Sequence, residues 1–391
     1  MIRYFLITLC LGIGLTLAAQ TMQDLKTDVV YLASDYLEGR ETGKDGEARA
    51  AEYIAARFQE IGLLPKGAGG TYYQSFDFQY NPSPHGGSGE REARTGKNVI
   101  GYLDNGAPTT VVIGAHYDHL GHGGNGSRHT GEPAIHNGAD DNASGVAALL
   151  RIAEHLQDGK ATGNNYLFIA FSGEEMGLFG SKHFVNNMTI DAGQVNYMLN
   201  MDMVGRLNEE KVLAVNGAGT SPAWKEVLPT IEVGGIDVKT SDSGVGPSDH
   251  TSFYLQDLPV LHFFTGQHTD YHKPEDDAHL INFGGLRDVS DFITALVEAL
   301  DDRGKLAFTK TKDEQQGRRA ARFKVSLGVM PDYVYQGEGM RIDGVLEGRA
   351  AAAAGFEKGD VIIRIGDTEV KDIYDYMEGL SKFESGDQTI V

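Results

Sequence analysis

Between residues 110 and 300, short apolar runs alternate with stretches of helical periodicity, and acidic or histidine residues stand directly behind several of the apolar runs. Thr110 to Ala115, Tyr166 to Phe171, Tyr197 to Met201, Lys211 to Val215 and Leu258 to Phe264 have the length and composition of strands. Gly145 to Leu156, Pro222 to Ile231 and Leu286 to Leu300 read as helices. Such alternation predicts an α/β domain: a mostly parallel central sheet flanked by helices on both faces, with sites at the carboxyl ends of its strands. Ahead of it, Asp24 to Leu64 has helical spacing, with a docking helix that closes on Gly62. Asn81 to Lys97 and Gly121 to Gly138, rich in turn-forming residues, are expected to be mobile loops.

A length of 391 residues favours two domains. The formal charge of -21 repels phosphate backbones and anionic lipid, so nucleic acid is not an expected partner. Residues 1–19 combine a charged start, a short apolar middle and a small-residue end, the pattern of a secretory signal peptide. The expected location is therefore periplasmic or extracellular, with no membrane span once the signal is removed. The only cysteine, Cys10, lies in that segment, which leaves any metal to histidine and carboxylate ligands. Residues 22–303 form the expected main domain, 304–322 a charged linker, and 323–391 a small β-rich domain with a helix at Ala350 to Ala354.

Five segments carry metal-ligand chemistry. Gly114-Ala-His-Tyr-Asp-His-Leu-Gly121 places His116 and Asp118 two apart on extended chain, so Asp118 is expected to orient the His116 imidazole. Asn137-Gly-Ala-Asp-Asp-Asn-Ala-Ser-Gly145 carries an acidic pair before a helix, where an ordinary N-cap is the competing explanation. Ser172-Gly-Glu-Glu-Met-Gly177 offers adjacent glutamates, one to coordinate and one to manage a water proton. Asp202 interrupts an apolar run, which is costly for a carboxylate without a partner. Asp270-Tyr-His-Lys-Pro-Glu-Asp-Asp277 supplies a second histidine. Together they offer two histidines and three carboxylates, a nitrogen and oxygen set suited to zinc with one carboxylate free to bridge two ions. His119, His122, His129 and His136 read as surface or pocket-rim residues, His155 and His183 as residues of helix faces, and His250 as part of a helix start capped by default.

The order H-x-D, D-D-N-A-S-G, G-E-E-x-G, N-x-D-M-V-G-R and D-Y-H-x-P resembles the co-catalytic di-zinc aminopeptidases, metallopeptidase family twenty-eight. Leu32-Ala-Ser-Asp-Tyr-Leu-Glu-Gly-Arg40 and Pro247-Ser-Asp-His-Thr-Ser-Phe253 extend the resemblance, which covers roughly Asp24 to Leu300 and makes residues 22–303 a zinc exopeptidase catalytic domain. It implies two Zn2+ ions per chain: His116 and Asp202 on one, Glu175 and His272 on the other, Asp141 rather than Asp140 bridging. It further implies a cis peptide at Asp141-Asn142, Glu174 as general base and Tyr271 as hydrogen-bond donor to the oxyanion. The implied reaction is removal of N-terminal residues from peptides with a free N-terminus, by attack of a hydroxide shared between the metals. A carboxypeptidase or glutaminyl cyclase of the same fold, and a peptide-binding protein with a vestigial site, are the alternatives.

Ser326-Leu-Gly-Val-Met-Pro331 and Gly344 to Asp367 resemble a PDZ domain of bacterial secreted-protease type, and because such domains run on into a last strand where this sequence stops at Val391, the domain is expected to be truncated at its C-terminal end. That resemblance implies binding of a peptide C-terminus or strand beside the Leu327 to Met330 turn.

Overall fold

The computed structural model describes residues 22–80, 92–124, 126–159, 161–311, 325, 327–331, 335, 337–345, 349–371, 373–384 and 386–391. The expected signal peptide lies outside the described residues, as do 81–91 of the first glycine-rich stretch and 312–322 of the expected linker.

The chain opens with helix α1 (22–32), a short turn at Asp35–Arg40 and helix α2 (Asp45–Ile61). Ala50, Ile54 and Phe58 recur every fourth residue on the buried face of α2, and Gly62 ends it in the left-handed region at φ +91°. Strands β1 (Leu64–Pro65), β2 (Tyr73–Tyr80), β3 (Glu92–Leu103) and β4 (Thr110–His116) follow, then α3 (Gly145–Gln157), β5 (Asn165–Phe171), α4 (Phe179–Asn186), β6 (Val195–Met201) and β7 (Val212–Asn216). The domain continues through α5 (Pro222–Val227), β8 (Asp237–Ser241), α6 (His250–Tyr254), β9 (Val260–Phe264) and α7 (Phe283–Leu300).

Among the described residues the sheet runs β1-β3-β5-β4-β6-β9-β7-β8, with β2 beside β3. Its centre, β5-β4-β6-β9, is parallel and buried along its whole length. Burial on both faces is why these strands are mostly apolar runs. Val111 and Ile113 pack on one side with α2, α3 and α7, while Val112, Leu167 and Ile169 pack on the other with Phe184 of α4 and Phe253 of α6.

The flanks differ from the mostly parallel sheet expected. β3 pairs antiparallel with β5 and β2, and β7 pairs antiparallel with β9, so the sheet is mixed. Glu92 to Lys97, expected in a loop, belongs to β3. Its charged and small residues are tolerated because this end of the strand is half exposed, with Arg94 lying over Tyr80 of β2. Residues 304–311 also depart from a linker: the Thr309 N–H donates to Thr220 O at 2.8 Å and the Thr311 N–H to Tyr254 Oη at 2.9 Å.

Beyond them lies a small unit with strands β10 (Val329–Pro331), β11 (Met340–Val345), β12 (Val361–Ile362), β13 (Arg364–Ile365) and β14 (Thr368–Glu369), and helices α8 (Ala350–Ala354) and α9 (Ile373–Ser381). β10, β11 and β12 form one antiparallel sheet and β13 pairs with β14. Met340, Ile342, Ile362, Ile365, Val370, Tyr376 and Leu380 give it a core of its own. No helix among the described residues is long and apolar enough to cross a membrane.

Candidate metal centre

The parallel strands β4, β5, β6 and β9 end at the same edge of the sheet, and the segments behind them converge there. His116 is the last residue of β4, Glu174 and Glu175 follow β5, Asp202 follows β6, and His272 lies eight residues beyond β9. Asp141 comes from the irregular turn Ala139–Ser144 that enters α3, and its peptide bond to Asn142 is cis.

Asp141 stands at the centre of the group. Its Oδ1 lies 3.3 Å from His116 Nε2 and its Oδ2 lies 3.2 Å from His272 Nε2. His116 Nε2 is also 3.4 Å from Asp202 Oδ1, and His272 Nε2 is 3.2 Å from Glu175 Oε2. Two donors on one tetrahedral ion, each bonded at about 2.0–2.1 Å, stand about 3.3 Å apart. All four separations have that length, so the residues around Asp141 suit tetrahedral metal coordination. Asp140, which the sequence alone cannot separate from its neighbour, has another task. Its Oδ1 accepts from the Gly205 N–H at 2.7 Å and from Ser144 Oγ at 3.0 Å, tying the turn to the segment behind β6. Neither aspartate caps α3; Asn142 Oδ1 accepts from the Gly145 N–H instead, at 3.1 Å.

The surrounding chain fixes the histidine rings. His116 Nδ1 lies 3.2 Å from the main-chain oxygen of Asp118 and 3.7 Å from its Oδ1, so the carbonyl is the closer orienting group. The Asp118 carboxylate is shared: it accepts from Thr42 Oγ1 at 2.9 Å and from the Glu174 N–H at 3.2 Å. His272 Nδ1 donates to Gly126 O at 2.8 Å, leaving Nε2 to face Asp141, and the residue holds a left-handed backbone at φ +58°. Part of the glycine-rich loop expected to be mobile thus supplies a positioning carbonyl.

Glu174 and Tyr271 line a cavity of about 350 Å³ together with the metal-ligand candidates, Met203, His262 and Phe264. Tyr335, Gly337, Gly339, Met340 and Lys371 of the small C-terminal unit complete its wall. Burial, reinforced by Asp202 and Glu175 and opposed by His116, pushes the Glu174 carboxyl well above the usual carboxylate range. The Tyr271 ring stacks on His272 at a centroid distance of 3.8 Å, and the Arg128 guanidinium lies 4.4 Å from its centroid.

Three positions have roles that sequence reasoning did not assign. Arg40, fully buried, donates from Nε to Tyr117 O at 2.7 Å, from Nη1 to Leu32 O and, at 2.6 Å, to Asn137 O, and from Nη2 to Gly138 O at 3.0 Å. It thereby clamps the segment behind β4 to the acidic turn. Asp276 Oδ2 accepts from the N–H groups of Asp140 and Asp141, both at 3.0 Å. His119 is buried against Glu175. Their signals lie inside the motifs, the Arg ending Leu32 to Arg40, the acidic run behind His272 and the second histidine of the first segment, but nothing in the spacing assigns those contacts.

The expectation of surface or rim positions fails for His119 and His136, which are both buried, whereas His122 is exposed. His250 is no capping partner either: the Asp249 side chain makes no cap bond, and the His250 ring stacks on His262 at 4.5 Å with a 7° tilt. His155 and His183 lie in α3 and α4.

The electrostatics couple metal uptake to protons. Against burial, Glu175 and Asp141 carry the His272 pKa up to about 10, and Asp202 and Glu174 raise that of His116. A histidine nitrogen must shed its proton before it can coordinate a metal. Zinc affinity of the metal-free protein should therefore rise with pH up to about 10, with proton release visible by calorimetry in two buffers of different ionisation enthalpy. A pH-independent affinity would remove the histidines from the ligand set. In the metal-free protein the His272 ion pairs stabilise the fold below about pH 6.5, and that contribution is lost as pH rises through about 10.

Known proteins share this architecture. Aminopeptidase YwaD of Bacillus subtilis is 30% identical over 220 residues, an alignment covering 52% of this chain and 44% of that protein, so the chain spans less than half of that relative's length. The solved structure of BSAP, a zinc aminopeptidase from Bacillus subtilis, superposes with a TM-score of 0.56 at 19% identity, over 74% of this chain and 96% of that one. Porphyromonas gingivalis glutaminyl cyclase superposes with a TM-score of 0.55 at 15% identity, over 71% of this chain and 97% of its own. Residues 98–297, just over half of the chain, match the family model described as Peptidase family M28; they run from within β3 almost to the end of α7 and carry every one of the clustered donors, and the chain belongs to that family.

Proposed function

We propose that the chain is a secreted zinc-dependent aminopeptidase that uses two metal ions, with His116, Asp202 and Asp141 on one and Glu175, His272 and Asp141 on the other. The observation that carries this reading is the Asp141 carboxylate, whose two oxygens face two different histidines at 3.3 and 3.2 Å. Bound there, zinc would supply Lewis-acid polarisation of the scissile carbonyl and acidification of a water. The protein supplies the rest. Glu174, on the cavity wall beside the donor cluster, takes the proton of the attacking water and returns it to the leaving amine. Asp118 holds the Glu174 main chain, and the Tyr271 hydroxyl donates a hydrogen bond to the carbonyl oxygen as that atom gains charge. Asp202 and the glutamates make the cavity floor acidic, suited to a protonated substrate amine.

A peptide panel combined with metal analysis tests the reading. The expected result is about two zinc ions per chain and cleavage of peptides with a free N-terminus, abolished by acetylating that terminus. Cleavage of acetylated peptides from the carboxyl end would favour a carboxypeptidase. One ion per chain with cyclisation of N-terminal glutamine would favour the cyclase whose fold the chain shares. Export rests on the pattern of residues 1–19. The small C-terminal unit is proposed to be PDZ-like, on the resemblance at Ser326 to Asp367 and on its separate core.

A further inference from the structure

His119 is one of the fully buried imidazoles, and its environment differs from that of the two metal-ligand histidines. Its main-chain N–H donates to Arg40 O at 3.2 Å, and its ring lies edge-on to His272 at 5.8 Å. The acidic turn presses on it: Gly138 has φ +54°, and a Cβ there would come within 2.5 Å of the His119 ring. The ring is therefore fixed in position. Its Nδ1 lies 2.7 Å from Glu175 Oε1 and 3.9 Å from Asp141 Oδ2.

Potential ligand atoms of His119, Asp141 and Glu175 all lie within 4.8 Å of one another, so direct coordination by His119 is the first possibility to weigh. The distances decide against it. Donors sharing a tetrahedral ion stand about 3.3 Å apart, as Glu175 Oε2 and His272 Nε2 do at 3.2 Å. A nitrogen 2.7 Å from a carboxylate oxygen is instead at direct hydrogen-bond length, and charge-assisted bonds have that length. Because the ionised carboxylate only accepts, Nδ1 carries the proton.

We propose that His119 is a positioning residue for Glu175: it holds Oε1 through its Nδ1–H and thereby presents Oε2 to the ion shared with His272 and Asp141. Glu175 would otherwise rotate about its terminal torsion, which is broad for a carboxylate. The role differs from that of Asp118 and Gly126, which orient histidine rings; His119 orients a carboxylate. The proposal rests on the two-metal reading of the site.

The test is a zinc titration of the full-length, metal-free protein against a competing chromogenic chelator, in wild type, His119→Ala and His119→Asn. His119→Ala should weaken one of two binding steps by about ten- to a hundredfold while sparing the other, the range seen when such supporting bonds are lost. His119→Asn, whose amide N–H substitutes for Nδ1–H, should recover part of the loss. Two variants that titrate like wild type would overturn the proposal, as would loss of one nitrogen donor from the cobalt(II) absorption spectrum, which would make His119 a ligand. A measurement on wild type needs no variant to fold: the His119 imidazole proton should reside on Nδ1 in nitrogen-resolved NMR, and an Nε2–H tautomer overturns the assignment. A wild-type chain that takes up no zinc would bring down the metal reading and this proposal together, whereas two-site binding unaffected in both variants would bring down this one alone.

Discussion

Replacing Glu174 by glutamine should lower kcat by about 10² to 10⁴, the range general-base catalysis contributes, while leaving zinc content unchanged. Glu174 is absent from the tetrahedral separations around Asp141, so the ligand set survives the substitution. The main-chain bond from Glu174 to Asp118 also survives, since it involves the backbone N–H. Stability moves the other way. Burial and neighbouring carboxylates raise the Glu174 pKa, so its charged form destabilises the metal-free fold at pH values above its unfolded value of about 4.5. The neutral glutamine removes that repulsion, and metal-free Glu174→Gln should melt no lower than wild type at pH 7. A slowed variant with equal or higher Tm is the signature of a residue kept for chemistry at the expense of stability. Near-normal hydrolysis by the variant would remove Glu174 from the proton path, and loss of zinc would make it a ligand.

The same contrast explains what the sequence could and could not reveal. β4, β5, β6 and β9 were legible because burial on both faces keeps them mostly apolar, with only scattered polar residues such as Asn196, Asn200 and His262. β8, with the sequence Asp-Val-Lys-Thr-Ser, and the Glu92 end of β3 were not, because half-exposed strands accept charge and lose the apolar run. At the site, residues displayed behind strand ends were readable as candidates. Asp140 and Asp141 were not distinguishable by residue type, since only the fold turns one towards Gly205 and the other towards two histidines. His119 and Arg40 were harder still. Their partners are a carboxylate 56 residues away and four main-chain carbonyls, and a carbonyl carries no sequence signature.

Arg40→Met should be the most damaging single substitution outside the metal-ligand candidates. The side chain is 1% exposed, and its fork satisfies the carbonyls of Leu32, Tyr117, Asn137 and Gly138. Methionine of similar length fills the space but leaves four buried acceptors without this donor, at about 1–3 kcal/mol each where no substitute is found. A loss of about 4 kcal/mol or more follows, a fall in Tm on the order of 10 °C for a domain of this size. Burial lowers the Arg40 pKa to about 10, against which Asp118, Asp141, Asp276 and Glu175 favour the charge, so the guanidinium remains protonated at neutral pH. Charge alone does not explain the residue, because a lysine ammonium would face the same carboxylates. Arg40→Lys discriminates: three donors on a point charge cannot reproduce a planar fork that reaches four carbonyls, so this variant should lose most of the same stability. Both variants should also bind zinc more weakly, since Asn137 and Gly138 hold the turn that carries Asp141. Melting of the metal-free proteins separates the two effects, and an Arg40→Lys variant as stable as wild type would show that the charge, and not the hydrogen-bond fork, holds the two segments together.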